Sequence, residues 1–317
     1  THVRRYAMWR YVEPELHSVN ESLTVDYLRA HPEEIHAWAA GLRWEGIDRM
    51  MHSALAANVT PVPEVTEGTI YGLPRFNGTI ADPGVIGIAP YLAYQYRWVR
   101  ALVSHLNDRS GLNLGLKLFQ IENELNEAAL EGLYGQRLPT KPWGNWTFLT
   151  ELLTVLRTAV KDADPTADVT MNFHTDIPES VHQFLGLRGF YLDAVRDWAP
   201  LLDVLSIDAY PNMYAAQPLL FADVGARVAA TLAVVNGTKD VFVMETGFPV
   251  NRDDARTFPN NDTALPPVLN FSFANQAAYA AGAVAAVRGA GGSGLFYFDM
   301  SRGLGMVPPT GGDTAAD

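Results

Sequence analysis

Leu116-Lys117-Leu118-Phe119-Gln120-Ile121-Glu122-Asn123-Glu124 is a short, largely apolar run that stops at a carboxylate. A second run of the same form, Val241-Phe242-Val243-Met244-Glu245-Thr246-Gly247-Phe248-Pro249, follows about 120 residues later. Short apolar runs of this kind read as strands of a parallel sheet, covered on both faces. A carboxylate at the C-terminal end of such a strand lies where α/β barrels carry their chemistry.

Working outward from these runs, strand-like and helix-like segments alternate, as βαβ units do. Strands are expected over Val3 to Val12, Val59 to Val65, Asp168 to Phe173, Asp203 to Ala209 and Gly294 to Met300. Helices are expected over Gly46 to Asn58, Tyr91 to Leu106, Phe148 to Ala163, Phe190 to Leu202, Phe221 to Val235 and Asn275 to Ala290. The first carries Ile47, Met50, Met51, Ala54 and Leu55 at helical spacing, and the second carries Trp98, Leu102 and Leu106 on one stripe. The fold class is therefore α/β: a (β/α)8 barrel one strand short, with an open doubly wound sheet as the alternative. The missing strand is expected either upstream of Thr1 or as an irregular segment such as Gly84 to Ile88. No linker interrupts the chain, so one catalytic domain is expected over residues 1–302, with a loose tail over 303–317.

Composition narrows the function. Of 317 residues, 48% are hydrophobic and 11% aromatic, enough for a large core. No apolar run is long enough to span a membrane. A net charge of −12 argues against nucleic acid and anionic membrane surfaces as partners, and favours a neutral substrate. The chain has no cysteine, which excludes disulfides, zinc–thiolate sites and thiol nucleophiles. Seven of its sixteen asparagines stand in N-x-S/T sequons: Asn20, Asn58, Asn77, Asn145, Asn236, Asn261 and Asn270. Chance would give about one or two, so a eukaryotic secreted glycoprotein, its signal peptide removed, is expected, with glycans on its surface.

Two carboxylates brought to one pocket are what glycosidic bond cleavage needs. One protonates the leaving oxygen, and the other attacks or stabilises the anomeric carbon. The order of motifs resembles clan A of the glycoside hydrolases. The resemblance rests on Asn123-Glu124 after an apolar strand and on Glu245 three strands later. It also rests on Arg4-Arg5, Trp9 and Glu13-Pro14 in the first strand, which is similar to the clan's second. The run Glu245-Thr246-Gly247-Phe248-Pro249 is similar to the nucleophile strand of endo-β-1,3-glucanases and endo-β-1,4-galactanases. The resemblance implies a (β/α)8 barrel acting with retention on an oligo- or polysaccharide, without cofactor or metal. Glu124 would be the acid/base and Glu245 the nucleophile.

The resemblance also implies supporting roles. Asn123 would hydrogen-bond the sugar 2-hydroxyl and Tyr210 the nucleophile, while Arg4, or Arg5 if the register slips by one, would keep the nucleophile ionised. Trp9, Trp143 and Trp146 could stack on sugar faces or pack in the core. His174 and Asp176 follow one strand and Glu64 and Glu67 another, where each could line the cleft or stand as a solvated loop residue. Tyr297 stands, within Phe296-Tyr297-Phe298-Asp299, where the family usually places Trp, which leaves substrate preference open. Glu122, two residues before Glu124, reads as a buried ion-pair partner, with a second site carboxylate as the alternative, and Glu127 as a bystander. A monomer is expected. Hydrolysis by retention, transglycosylation, inversion at a wider carboxylate spacing, and a lectin-like barrel without turnover are the readings this set allows.

Overall fold

The computed structural model describes residues 1–66, 72–128, 141–212, 218–248 and 272–298. They fall into two compact units: Thr1–Phe173 with Glu179–Val204, and His174–Pro178 with the described residues from Leu205 onward.

The first unit contains β1 (His2–Tyr6), β2 (Glu15–Leu16), β3 (Thr60–Glu64), β4 (Arg75–Phe76), β5 (Thr79–Ile80), β6 (Leu118–Asn123) and β7 (Asp168–His174), the last residue of which opens the second unit. Strands β1, β3, β6 and β7 pair in that order, all parallel. Strands β2, β4 and β5 make a separate small sheet. Every residue from Val169 to Phe173 is buried, as expected of a parallel strand covered on both faces.

The helices of this unit are α1 (Val25–Ala30), α2 (Pro32–Ala39), α3 (Glu45–Ala56), α4 (Pro83–Ile86), α5 (Ile88–Asn107), α6 (Trp146–Ala163), α7 (Glu179–Leu185) and α8 (Tyr191–Trp198). Helix α6 begins at Asn145, whose side-chain oxygen accepts the Thr147 and Phe148 amides at 3.0 and 3.3 Å, and stops at Asp164 before a proline. Its buried face, Phe148, Leu152, Leu156 and Val160, recurs every four residues, and the helix packs on α5. Each such side chain contributes about 1.5–3 kcal/mol of burial free energy.

The second unit holds β8 (Leu205–Asp208), β9 (Val241–Glu245) and β10 (Gly294–Leu295), with β9 in the middle and parallel to both neighbours. Its helices α9 (Phe221–Val234) and α10 (Phe273–Gly289) pack closely. A β-carbon at Gly225 would lie 2.8 Å from the Ala286 carbonyl oxygen, so only glycine permits this approach.

The seven parallel strands follow one another along the chain as the sequence predicts, with three local corrections. The first strand ends at Tyr6 rather than Val12, because Trp9–Tyr11 makes a 3₁₀ turn. That turn drives the Trp9 ring into the core, stacked on Tyr94 at 6.0 Å and edge-on to Trp38 at 6.4 Å. Gly84–Ile88 is not a strand. Asp82 caps α4 through the Gly84 and Val85 amides, with Pro83 in its first turn, and α5 follows directly. The last strand is only Gly294–Leu295 among the described residues, and the expected tail lies outside them. No described helix is long and apolar enough to cross a membrane.

Candidate active site

Each predicted carboxylate sits in its own prepared setting, and the two settings belong to different units. In the first, the pairing of β6 with β7 slips between Gln120 and Asn123. Such an irregularity re-aims side chains at a strand end. The next residue, Glu124, has φ 49° and ψ 32°, the left-handed conformation, and its amide donates to the Asn172 carbonyl at 2.9 Å. A non-glycine residue in that region costs on the order of 1–2 kcal/mol.

Beneath this turn lies a polar layer. Arg4 Nε stands 3.3 Å from Glu64 Oε2, with both side chains almost wholly buried, at 7% and 0% exposure. Arg4 also donates to the Tyr6 hydroxyl at 3.1 Å and to Gln120 at 3.4 Å. Asn123 Oδ1 accepts from Arg4 at 3.4 Å, Gln120 Nε2 at 3.2 Å and Asn172 Nδ2 at 3.1 Å. Three donors around one atom fix it as the amide oxygen, so Asn123 Nδ2 is left to donate. Arg5 is exposed, so Arg4 is the inward arginine of β1.

Glu122 is fully buried. It accepts the Asn123 amide at 3.2 Å, and with burial its charge raises the Tyr91 hydroxyl pKa well above normal. Glu127 is also buried, 3.3 Å from His182.

The second setting surrounds Glu245 at the end of β9. The β8–β9 pairing slips between Ile207 and Asp208, so Asp208 stands opposite Glu245. Glu245 is 7% exposed, and its Oε2 accepts the Tyr210 hydroxyl at 2.6 Å. The Tyr210 amide donates to both Asp176 oxygens, at 2.9 and 3.1 Å. Asp176 is paired with Arg227, and His174 Nε2 lies 3.5 Å from Asp176 Oδ2.

The loop after Glu245 is held from behind. Tyr297 accepts the Phe248 amide at 2.9 Å, Gln276 donates to the Phe248 carbonyl at 3.0 Å, and Thr246 bonds Tyr279 at 2.8 Å. Burial raises the Tyr297 pKa to about 12, so this hydroxyl is neutral at physiological pH.

The aromatic candidates separate by burial. Trp9 and Trp143 are each 1% exposed and belong to the core, which removes Trp9 as a sugar platform in this conformation. Trp146 stacks on Trp198 at 4.1 Å and is partly exposed. Glu67, Asn261 and Asn270 lie outside the described residues. The other sequon asparagines, Asn20, Asn58, Asn77, Asn145 and Asn236, are all exposed. No group of three or more His, Cys, Asp or Glu among the described residues could hold a metal ion.

Sequence reasoning missed Gln120, Asn172 and Arg227. Gln120 and Asn172 carried a signal, as polar residues inside apolar strands. Arg227 did too, since it lies beside the buried stripe of Val224, Val228 and Thr231.

No protein-family model and no curated protein matches the sequence. Solved structures do match. The AHE enzyme from Alicyclobacillus herbarius aligns with TM-score 0.58 at 14% identity, over 94% of this chain and 74% of that one. The GH53 catalytic domain from Ignisphaera aggregans aligns with TM-score 0.54 at 18% identity, over 79% of this chain and 65% of that domain. A fungal β-1,4-galactanase aligns with TM-score 0.51 at 18% identity, over 78% and 70%. The fold is thus α/β of the (β/α)8-barrel class, and the clan A resemblance drawn from the sequence holds at the level of fold.

Proposed function

We propose that the chain is a secreted retaining β-glycosidase that cleaves within a neutral β-linked polysaccharide by double displacement. Glu245 is the nucleophile and Glu124 the acid/base. The observation that carries this reading is the setting of Glu245: a strand-end carboxylate, 7% exposed, with one oxygen accepting a phenolic hydrogen bond at 2.6 Å. A carboxylate so placed is oriented by its phenolic partner.

In the first half-reaction, Glu124 gives its proton to the leaving oxygen as Glu245 attacks the anomeric carbon. The Tyr210 hydroxyl stabilises the carboxylate before attack and the ester oxygen after it. In the second, Glu124 takes a proton from water, which displaces Glu245 from the sugar. Asn123 Nδ2 donates to the sugar 2-hydroxyl, a contact that strengthens as the oxocarbenium character develops. The three donors on Asn123 Oδ1 hold the amide in the orientation this needs.

The fold likeness to galactanases puts β-1,4-galactan among the first substrates to try, and the resemblance of the nucleophile strand adds β-1,3-glucan. Mannan follows. The five exposed sequons support N-glycosylation and hence secretion. The test is a panel of β-linked polysaccharides offered to the wild type and to Glu245→Ala. Products from the wild type alone are expected. Binding to a glycan without turnover would replace this reading with a lectin-like barrel.

A further inference from the structure

We infer that Asp176 and Arg227 form a positioning clamp that aims the Tyr210 hydroxyl at Glu245. The inference rests on the reading of Glu245 as nucleophile and adds two residues to it. Tyr210 follows β8 and reaches Glu245 through a long aromatic side chain. A small rotation of its backbone would carry the hydroxyl away from a 2.6 Å contact. The backbone is held where that rotation would begin, because its amide donates to both oxygens of one carboxylate, Asp176, at 2.9 and 3.1 Å.

Asp176 is itself fixed. Arg227, from the middle of α9, pairs with it and also donates to Thr175 Oγ1 at 2.7 Å. Thr175 in turn gives its amide and its hydroxyl to the Asp208 carbonyl, at 3.2 and 2.7 Å. The segment that bears Asp176 is thereby tied to the end of β8 at two points, the Asp208 carbonyl and the Tyr210 amide. It clusters with the second unit although the chain on either side belongs to the first. The Asp176 and Arg227 side chains remain 16% and 20% exposed. The single Tyr210 N–H, shared between the two Asp176 oxygens, fixes the direction in which that peptide points.

The clamp predicts a kinetic signature that a general stabilising role does not. Asp176→Ala should lower kcat by about 10- to 100-fold while KM stays within about threefold, the pattern of a misplaced catalytic group. Tyr210→Phe should do the same. In the Tyr210→Phe background, Asp176→Ala should cost no more than about a further twofold, because the clamped hydroxyl is already gone. Asp176→Asn keeps an acceptor for the amide and should recover part of the loss.

A crystal structure of Asp176→Ala supplies the readout independent of activity: the Tyr210 hydroxyl should lie beyond hydrogen-bond distance of Glu245. Retention of that bond in the variant, or full multiplication of the two losses in the double variant, would overturn the clamp. A wild type inert on every glycan would instead count against the glycosidase reading, and the crystal structure would still decide the clamp.

Discussion

The turn that bears Glu124 and the strand end that bears Glu245 solve the same problem by different means. Both follow a slip in parallel pairing that frees the strand end to re-aim its side chains. After β6, however, the backbone itself carries the adjustment. Glu124 takes a left-handed conformation, over a buried layer of amides and one Arg4–Glu64 pair. At Glu245 the backbone stays in the strand, and the side chain is fixed by Tyr210, which Asp176 and Arg227 hold in turn. The difference suits the proposed roles. An acid/base must reach the leaving oxygen and later a water, whereas a nucleophile needs one fixed line of attack. Strain is stored where two geometries are served, and hydrogen bonds are concentrated where one is.

Four measurements would break or sharpen this contrast. The largest effect is expected in leaving-group dependence. Glu245→Gln should lose at least about 10³-fold on any substrate, since the attacking group is gone. Glu124→Gln should lose comparably on polysaccharide but far less on a dinitrophenyl glycoside, whose leaving group needs no proton. Equal losses on both substrates for both variants would remove the division of roles.

Next in size is the buried pair. Arg4→Met leaves Glu64 buried without its guanidinium, and about 3–5 kcal/mol should be lost in a urea titration. A loss below about 1 kcal/mol would mean that the layer under Asn123 is solvated or rearranged. The backbone claim is subtler. Glu124→Gly relieves the left-handed strain and should be more stable than Glu124→Ala by about 1 kcal/mol, with both inactive on polysaccharide. At Glu245, where φ is ordinary, the same pair should reverse in order, because glycine weakens a strand.

The smallest effect concerns Asp164, at the C-terminal end of α6. Burial raises its carboxyl pKa, but hydrogen bonds from Thr166 and Asn107 and the charge of Lys117 outweigh that and leave it lowered. A depressed carboxylate contributes stability that is present above its unfolded pKa, about 3.9, and is lost as pH falls through the folded value. Asp164→Ala should therefore lower Tm by a few degrees at pH 7, and by less at pH 3. Half-buried, the group is partly screened, and the shift should also shrink in high salt.

What the sequence discloses follows from how local the cause is. The strand ends at Glu124 and Glu245 are visible because a buried parallel strand must be apolar on both faces. The long helices show through their four-residue stripes. Helices α1 and α2 went unread although Thr24 caps the first and Pro32 opens the second, because polar exposed faces obscure their periodicity. Strands β2, β4 and β5 are two residues each, too short for any period to register. The extension of the first strand to Val12 failed because an apolar run continues through Met8 and Trp9 while the backbone turns. The Asp176 clamp is legible only in its parts: Asp176 and Tyr210 follow predicted strands and Arg227 lies beside a buried stripe, but no local pattern pairs residues 34 and 51 positions apart.

The most direct test of the division of roles is intact-protein and peptide mass spectrometry after exposure to a slow 2-fluoro glycoside of the sugar released in the polysaccharide panel. The account predicts one covalent glycosyl adduct, carried by the peptide that contains Glu245 and absent in Glu245→Gln. An adduct on the peptide that contains Glu122 and Glu124, or rapid turnover with no adduct at all, would contradict it.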